Sequence, residues 1–183
     1  MIRLKKLLLE LSDKDLKRLL KKIQDNQFKF VGQGDNGRVY EIDGEDKVFK
    51  ITRDDQEFEV AQKIEGELTT YTTFIPVYYT GKHDSHNMII MSKADPVTSS
   101  QKQMIDQFVE QFKQYSYTEG GEVSIFDFLD SEQQINIHPL LENFLRALQT
   151  DVRKTNIEEL DLDLDFKSDN VMDWNGKMVM VDW

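Results

Sequence analysis

The chain has 183 residues, of which 39% are hydrophobic and 31% charged, a balance that suits a globular protein and excludes a disordered tail. It contains no cysteine, which excludes disulfides, thiolate catalysis and Cys-ligated metal sites and favours a reducing, cytoplasmic location. No apolar run approaches the roughly 20 residues of a membrane span, and the net charge of −11 argues against general binding of nucleic acid.

The N-terminal segment, residues 1–27, is predicted to form amphipathic helices with a basic outer face. Residues 1–25 carry eight basic and four acidic side chains, whereas the rest of the chain carries 15 and 30. Helix is expected over residues 2–24 in two pieces, and Ser12 followed by Asp15 has the spacing of a capping box. The apolar stripe is expected to pack on the rest of the domain or on a partner, so a protein partner at these helices stays open.

A β-rich segment follows, over residues 28–51, and three glycines interrupt it. Gly32, Gly34 and Gly37 predict a turn whose backbone can approach a phosphate closely. The residues after Gly37 lead into a hairpin at Asp43-Gly44, which favours a strand–loop–strand flap over the helix that a dinucleotide-binding fold requires. The alternative is an ordinary glycine-rich turn.

The next strand places a lysine among apolar neighbours. Alternation puts Val48 and Lys50 on one face of the strand. Burial of an ammonium group is costly without an anion, and a phosphate or a carboxylate from the helix predicted at 54–66 would supply one. Glu57 shares the apolar face of that helix and Glu59 does not, so Glu57 is the expected partner. The alternative is a strand-end lysine that reaches solvent.

The remaining pattern indicates two strands, an α-rich half and a closing hairpin. A polar turn from Lys82 to His86 is expected between the two strands, and the hairpin is expected to turn at Asn175-Gly176. The predicted elements are strands at 75–81 and 87–92, helices at 100–115, after Ser124 and at 139–154, and strands at 171–174 and 177–182.

The closing hairpin is predicted to bring two oxygen ligands together. A two-residue turn at Asn175-Gly176 sets a register in which Asn170 lies opposite Val181 and beside Asp182. Amide and carboxylate oxygens are hard ligands of the kind that magnesium prefers. The alternative is that the alternating acidic and apolar residues from 161 to 166 form a half-buried strand with a solvated acidic face.

Taken in chain order, these motifs resemble the eukaryotic-type protein kinase signature. The resemblance covers nearly the whole chain after residue 28, and the chain is also similar to the short kinase-like proteins of tailed bacteriophages. It implies an α+β, protein-kinase-like fold with a β-rich N-lobe and one helix at 28–94, and a reduced helical C-lobe at 95–183 that ends at the metal-binding aspartate. The motifs are the glycine flap with Val39, the Val-Phe-Lys strand, Glu57, the strand 88–91 leading into Ser92-Lys93-Ala94, the run Asp165-Phe166-Lys167-Ser168-Asp169-Asn170, and the terminal Val-Asp-Trp.

The resemblance implies that the first half of the site binds ATP. The glycines would cover the phosphates, Val39 would lie over the adenine, and Lys50, braced by Glu57, would hold the α- and β-phosphates. Met91 would occupy the gatekeeper position, and the backbone of residues 92–94 would meet the adenine. The nucleotide-binding positions so implied are Gly32, Gly34, Gly37, Val39, Lys50, Met91, Ser92 and Ala94.

The resemblance implies that the second half carries the transfer step. Asp165 would orient or deprotonate the acceptor hydroxyl, Lys167 would steady the γ-phosphate, and Asn170 with Asp182 would bind magnesium. The function expected is therefore an ATP- and magnesium-dependent phosphotransferase with an unknown protein or small-molecule acceptor. The alternative is a pseudokinase that acts as a nucleotide-binding or protein-interaction module, and Asp163-Leu164 in place of the usual His-Arg pair keeps it open.

Overall fold

The computed structural model shows a mixed α+β protein. It describes residues 11–67, 70–119, 123–131, 137–155 and 166–182. These residues form a five-stranded antiparallel sheet, a three-stranded sheet, five α-helices and a short 3₁₀ helix. The expected α+β class is confirmed, and the protein-kinase-like arrangement stays a prediction. None of the helices in the described part of the chain is both long and apolar enough to cross a membrane.

The chain divides into two compact units. The first contains the described residues up to Tyr71 together with Ile75–Lys93, and the second contains Thr72–Phe74 together with the described residues from Ala94 onward. A short piece of the second unit is therefore flanked in sequence on both sides by the first unit.

The first unit is built on the five-stranded sheet. Its elements, in chain order, are α1 (Asp13–Gln24), β1 (Phe28–Gln33), β2 (Gly37–Ile42), β3 (Lys47–Thr52), α2 (Asp55–Ile64), β4 (Val77–His83) and β5 (His86–Ser92). The strand order is β1-β2-β3-β5-β4, so β3 lies at the centre of the sheet.

The register of β2 and β3 divides the side chains between two faces of this sheet. Tyr40 lies opposite Phe49, and Val39 lies opposite Lys50. Because paired residues of an antiparallel ladder point the same way and alternate along the strand, Tyr40 and Phe49 belong to one face and Val39 and Lys50 to the other. We call these the α1 face and the α2 face, after the helices that cover them.

Helix α1 buries its apolar stripe on the sheet. Leu19 and Ile23 are both buried. The buried sheet residues that they join are Ile42, Phe49, Met88 and Ile90. The stripe thus packs on the rest of the chain, which was one of the two possibilities that the sequence left open.

The start of α1 is fixed by the predicted cap. The Ser12 hydroxyl accepts a 3.1 Å hydrogen bond from the Asp15 N–H and donates a 2.6 Å hydrogen bond to the Asp15 carboxylate. This confirms Ser12 as the N-cap. Residues 2–10, the first predicted helical piece, lie outside the described residues.

Two cationic side chains on the basic face of α1 form hydrogen bonds within the chain. Glu45, in the turn after β2, accepts hydrogen bonds from Arg18 and from Lys22, the latter at 2.6 Å. Burial alone would raise the pKa of the Glu45 carboxyl, but the two cationic donors outweigh it and hold the pKa below its ordinary value of 4.5. The carboxylate therefore ties the helix to the β2–β3 turn.

Helix α2 covers the opposite face. Its N-cap, Asp54, accepts hydrogen bonds from the N–H groups of Gln56 and Glu57, at 2.9 and 3.1 Å. The apolar residues that it buries are Val60, Ala61 and Ile64. Asp55 accepts a 2.9 Å hydrogen bond from Asn87 of β5, which holds the first turn of the helix to the sheet.

The second unit combines helices with a small sheet. Its elements are β6 (Asp95–Pro96), α3 (Ser99–Glu119), α4 (Ile125–Asp130), α5 (Pro139–Thr155), the 3₁₀ helix Ser168–Asn170, β7 (Val171–Trp174) and β8 (Lys177–Met180). The predicted cap at Ser124 is confirmed, because its side chain and that of Asp127 form a complete capping box. The closing hairpin has the predicted register, with Trp174 opposite Lys177.

The structure corrects the turn between β4 and β5. The predicted turn ran from Lys82 to His86, whereas β4 continues to His83 and β5 begins at His86. The turn consists of Asp84 and Ser85, both with positive φ, 46° and 69°. Two left-handed residues match the twist of a tight hairpin, but neither is a glycine, so the sequence lacked the usual signal.

Two helices end differently from the prediction, and each has a local reason. Helix α2 ends at Ile64 rather than at 66, because Glu65 leaves the helical region with a ψ of 127° and Gly66 has a φ of 73°. Helix α3 continues beyond 115 to Glu119. The ring of Tyr115 packs against Phe128 of α4 at 5.0 Å between centroids, a tertiary contact that periodicity does not reveal.

Candidate functional site

The glycine-rich segment is a strand–loop–strand, as predicted. Strand β1 ends at Gln33 and β2 begins at Gly37. The N–H of Gly34 donates a 3.0 Å hydrogen bond to the carbonyl of Gly37, which closes the loop on itself. The carbonyl of Asn36 accepts a 2.9 Å hydrogen bond from the N–H of Arg53, which attaches the loop to the end of β3.

The three glycines have different surroundings. A Cβ added at Gly37 would lie 2.7 Å from the carbonyl oxygen of Ile51 and 2.9 Å from Cε of Lys50. Any larger residue at this position would force the backbone or the lysine to move. A Cβ added at Gly32 or Gly34 would meet nothing within 4 Å, so both present bare backbone to open space. A ligand could approach that backbone without meeting a side chain.

Lys50 and Glu57 form the ion pair that the sequence predicted. The Lys50 ammonium and the Glu57 carboxylate are in direct contact, and their side chains are only 8% and 2% exposed. Glu59, the alternative partner, is exposed. A lysine and a glutamate that are seven positions apart are joined because β3 and the first turn of α2 lie side by side on the α2 face.

Two further predicted residues lie on the same face as Lys50. Val39 is directly opposite Lys50 in the β2–β3 ladder and is half-buried. Met91 is 4% exposed and lies opposite Val48, two positions along β3 from the lysine. The α2 face thus brings together Gly37, Val39, Lys50 and Met91.

The segment after β5 has limited hydrogen-bonding capacity. The N–H of Ser92 donates to the carbonyl of Pro76 at 3.0 Å, and the N–H of Lys93 donates to the carbonyl of Asp46 at 2.9 Å. The Ser92 hydroxyl lies 2.9 Å from the hydroxyl of Tyr78. Two of the three predicted hinge N–H groups, those of Ser92 and Lys93, are therefore already used within the first unit.

The second half of the predicted site belongs to the second unit. Phe166 is buried, with its ring 6.0 Å from that of Phe108 and 6.3 Å from that of Phe144. It anchors the segment that carries Lys167, which is exposed, and Asn170, which is 6% exposed. Asp165, the predicted catalytic aspartate, lies outside the described residues. That both halves surround one cleft stays a prediction.

Asn170 lies where the hairpin register predicted. The N–H of Val181 donates a 3.0 Å hydrogen bond to the Asn170 carbonyl, which places Asp182 one residue beyond this contact. An amide and a carboxylate from these two positions have the hard oxygen donors that suit magnesium. Across the described residues no three acidic or histidine side chains cluster as a metal site.

The carboxylate of Asp169, which neighbours Asn170, pairs with a helix of the same unit. Asp169 is exposed and pairs with Lys102 of α3 at 3.0 Å. The hydrogen bond with Asp169 raises the pKa of Lys102 above its ordinary value. Asp169 therefore serves as an internal comparison for Asp182, because both carboxylates flank the same short segment.

A buried carboxylate that sequence reasoning missed supports the strand leading to Asp182. Asp151 of α5, 2% exposed, accepts hydrogen bonds from the N–H groups of Thr72 and Thr73, at 2.7 and 3.0 Å, and from the Thr73 hydroxyl at 2.9 Å. The Thr73 carbonyl in turn accepts a 2.7 Å hydrogen bond from the N–H of Met180 in β8. The position of this aspartate on the apolar face of α5 was the sequence signal that could have indicated a buried carboxylate.

A second feature that the sequence did not reveal is a cavity in the first unit. It has a volume of about 370 Å³ and includes Arg38, Tyr40 and Phe49 in its lining. The side chains of these residues belong to the α1 face, and the backbone of Gly34 and Gly37 completes the lining, so the cavity adjoins the glycine loop.

Comparison with protein-family models and a search of curated proteins both find no match to this chain. The functional assignment therefore depends on the geometry of the site.

Proposed function

We propose that the protein binds ATP with magnesium and transfers its γ-phosphoryl group, in the manner that the resemblance to protein kinases implies. The observation that carries this proposal is the buried Lys50–Glu57 pair directly beneath Gly37 of the glycine loop. A buried ammonium that is held by a carboxylate below a bare backbone loop is a device for binding phosphate.

An acidic protein needs locally placed groups of this kind to bind a phosphate. With a net charge of −11, the chain gains nothing from its overall field when it binds a triphosphate. Lys50 supplies one fixed positive charge, and Gly34, whose own N–H is bonded to the Gly37 carbonyl, leaves space for a phosphate because it has no side chain. Glu57 holds the lysine in place, so the ammonium group is positioned before the ligand arrives.

The adenine would bind beside the same lysine. Val39 and Met91 provide apolar surface on the α2 face. Since the N–H groups of Ser92 and Lys93 are engaged within the chain, the N–H of Ala94 is the donor left for the purine edge. The sequence left any of residues 92–94 as the donor to the purine, and this proposal names one of them.

Magnesium fits the donors of Asn170 and Asp182. When bound, the ion would neutralise the charge of the β- and γ-phosphates. Asn170 is buried and is fixed by its backbone hydrogen bond with Val181, so its position is defined before any ligand binds.

The proposed transfer is a displacement at the γ-phosphorus. The acceptor hydroxyl oxygen forms the new bond, the bond to the β,γ-bridging oxygen breaks, and ADP leaves with that electron pair. Asp165 takes the hydroxyl proton, and Lys167 stabilises the charge on the γ-phosphoryl oxygens. The acceptor is a protein or small-molecule hydroxyl.

The first experiment measures whether ATP stabilises the fold. At 100 times its dissociation constant, ATP with magnesium should stabilise the protein by about 2.7 kcal/mol, a rise in Tm of very roughly 5–10 °C. The Lys50→Met/Glu57→Leu variant, which removes both buried charges together, should lose this rise. Lys47→Met is the matched control, because Lys47 lies on the same strand and the opposite face.

The second experiment separates the enzyme from the pseudokinase. γ-Labelled ATP is incubated with the protein alone, with generic acceptors and with a cell lysate. Asp165→Asn should abolish transfer and leave the thermal shift intact. A thermal shift without any transfer would support the pseudokinase, and no shift at all would overturn nucleotide binding by either class.

A further inference from the structure

The cavity on the α1 face of the five-stranded sheet is a second candidate site. Arg38 and Tyr40 point to the opposite side of β2 from Val39, and their partners in β3 are Ile51 and Phe49. The cavity, with a volume of about 370 Å³, has the size of a small-molecule site. Its lining includes Gly34 and Gly37 of the glycine loop, but none of the side chains of Val39, Lys50, Glu57 and Met91.

The floor of this cavity is aromatic. The rings of Tyr40 and Phe49 are stacked, with centroids 5.0 Å apart and an angle of 16° between their planes. Phe28 meets both of them edge-on, at 5.2 and 5.0 Å. His83, the last residue of β4, stands edge-on to Phe49 at 6.2 Å. Phe49 is buried, so Tyr40 and Phe28, which are half-buried, are the rings of this floor that a planar ligand could contact.

Two arginines line the same cavity with most of their donors unused. Arg38 donates one hydrogen bond, at 3.2 Å, to the side chain of Gln33. Arg53 is exposed, and within the described ranges its guanidinium makes no hydrogen bond or ion pair. Elsewhere in the described chain Arg18 and Arg146 pair with carboxylates. Two available guanidinium groups beside one cavity suit a phosphate, which arginine binds through two parallel hydrogen bonds.

The acidic residues of the cavity restrict the ligand further. Asp35 and Asp84 also line it, so its formal charges cancel if the histidines are neutral. A simple anion gains little from such a site. A ligand that offers a phosphate to the arginines and N–H donors to the carboxylates gains from both.

We infer that this cavity binds a nucleoside monophosphate. Its planar, amino-bearing base would lie on the floor formed by Tyr40 and its neighbours. Its phosphate would bind Arg38 and Arg53, and its amino group would donate to the carboxylates.

The experiment titrates the whole isotope-labelled protein with adenosine monophosphate and follows the NMR signals of Tyr40 and His83. These signals should shift with a saturable dependence on ligand concentration. Arg38→Gln/Arg53→Gln should weaken binding by at least about tenfold. Both arginines are exposed, so this variant should remain folded. Arg153→Gln, an exposed arginine in α5, is the matched control and should leave the affinity unchanged.

Two further measurements test which parts of the ligand are recognised and which face of the sheet binds it. Inorganic phosphate and adenosine should each bind at least about tenfold more weakly than the monophosphate, since each offers half of the contacts. The Lys50→Met/Glu57→Leu variant should keep the affinity for adenosine monophosphate. The proposal is overturned if millimolar ligand shifts no signal, if the arginine variant binds as well as the wild type, if phosphate alone binds equally well, or if only the Lys50 variant loses binding.

Discussion

The side chain of Lys50 passes directly beneath Gly37: a Cβ at position 37 would lie 2.9 Å from the lysine Cε and 2.7 Å from the carbonyl oxygen of Ile51. We expect Gly37→Ala to reduce the free energy of unfolding by about 1–3 kcal/mol, because the backbone or the lysine must move. Urea denaturation measures the loss. Gly32→Ala and Gly34→Ala are matched controls that should change stability by less than about 0.5 kcal/mol.

The same glycine series separates stability from binding. If a phosphate lies in the open space beside Gly34, Gly34→Ala should weaken ATP binding while the fold keeps its stability. Equal effects of Gly34→Ala and Gly37→Ala on unfolding would contradict the steric distinction between them.

The Lys50–Glu57 pair should show strong coupling in a double-mutant cycle. Lys50→Met leaves a buried carboxylate without its cation, which should cost about 3–5 kcal/mol of unfolding free energy. Lys50→Met/Glu57→Leu should recover most of this loss, because no charge then remains buried. Glu59→Gln, on the exposed side of α2, should have no measurable effect. Additive single-variant losses would show that the two side chains do not interact.

Glu45 should make the attachment of α1 sensitive to acid. Its pKa is lowered in the folded protein, since the hydrogen bonds from Lys22 and Arg18 outweigh burial. Its contribution is therefore complete above its unfolded pKa and is lost as the pH falls through the folded pKa. Glu45→Gln should cost about 1 kcal/mol at pH 7, because Arg18 is half exposed and its pairing is screened.

The pH series supplies its own control. At a pH below both pKa values the wild type and Glu45→Gln should unfold at the same urea concentration. A difference that stays constant across the whole range would mean that the charge of Glu45 contributes nothing.

Asp151 should be among the more sensitive positions of the second unit. Asp151→Ala leaves the N–H groups of Thr72 and Thr73 without their acceptor, and we expect a loss of about 3 kcal/mol or more. Asp151→Asn keeps one acceptor oxygen and should cost less. Amide hydrogen exchange at Thr73 should accelerate in both variants. Unchanged exchange there would contradict the role of the aspartate as a tether.

Asp182 should affect nucleotide binding only when magnesium is present. Asp182→Ala should lower the affinity for ATP at least about tenfold in the presence of magnesium and leave the affinity measured in EDTA unchanged. Asp169→Ala is the matched control, because Asp169 is exposed and paired with Lys102. A similar loss in both variants would show that the effect comes from general charge near this segment.

Local patterns predicted much of the fold. The Asn175-Gly176 turn fixed the register of the last hairpin, and with it the contact between Asn170 and Val181. Helical spacing selected Glu57 over Glu59, because only Glu57 shares the apolar face of α2. Both inferences succeed because each depends only on the repeat of side chains within one hairpin or one helix.

The remaining features depend on contacts between elements distant in sequence. Asp151 meets Thr73 from 78 positions away, and no periodicity along α5 indicates that partner. The cavity of the first unit combines the glycine loop with the β4–β5 turn, whose two left-handed residues carried no glycine signal. Tyr115 extends α3 by packing on Phe128. In each case tertiary contact overrides the local pattern.

The path of the chain through Thr72–Phe74 has a consequence for how this protein could be divided. These three residues belong to the second unit, yet they are flanked by Tyr71 and Ile75 of the first. A fragment cut at the 93–94 junction would remove the amide groups that Asp151 requires, so neither half is a self-contained piece of sequence. Gene fusions or domain transplants should therefore move both units together.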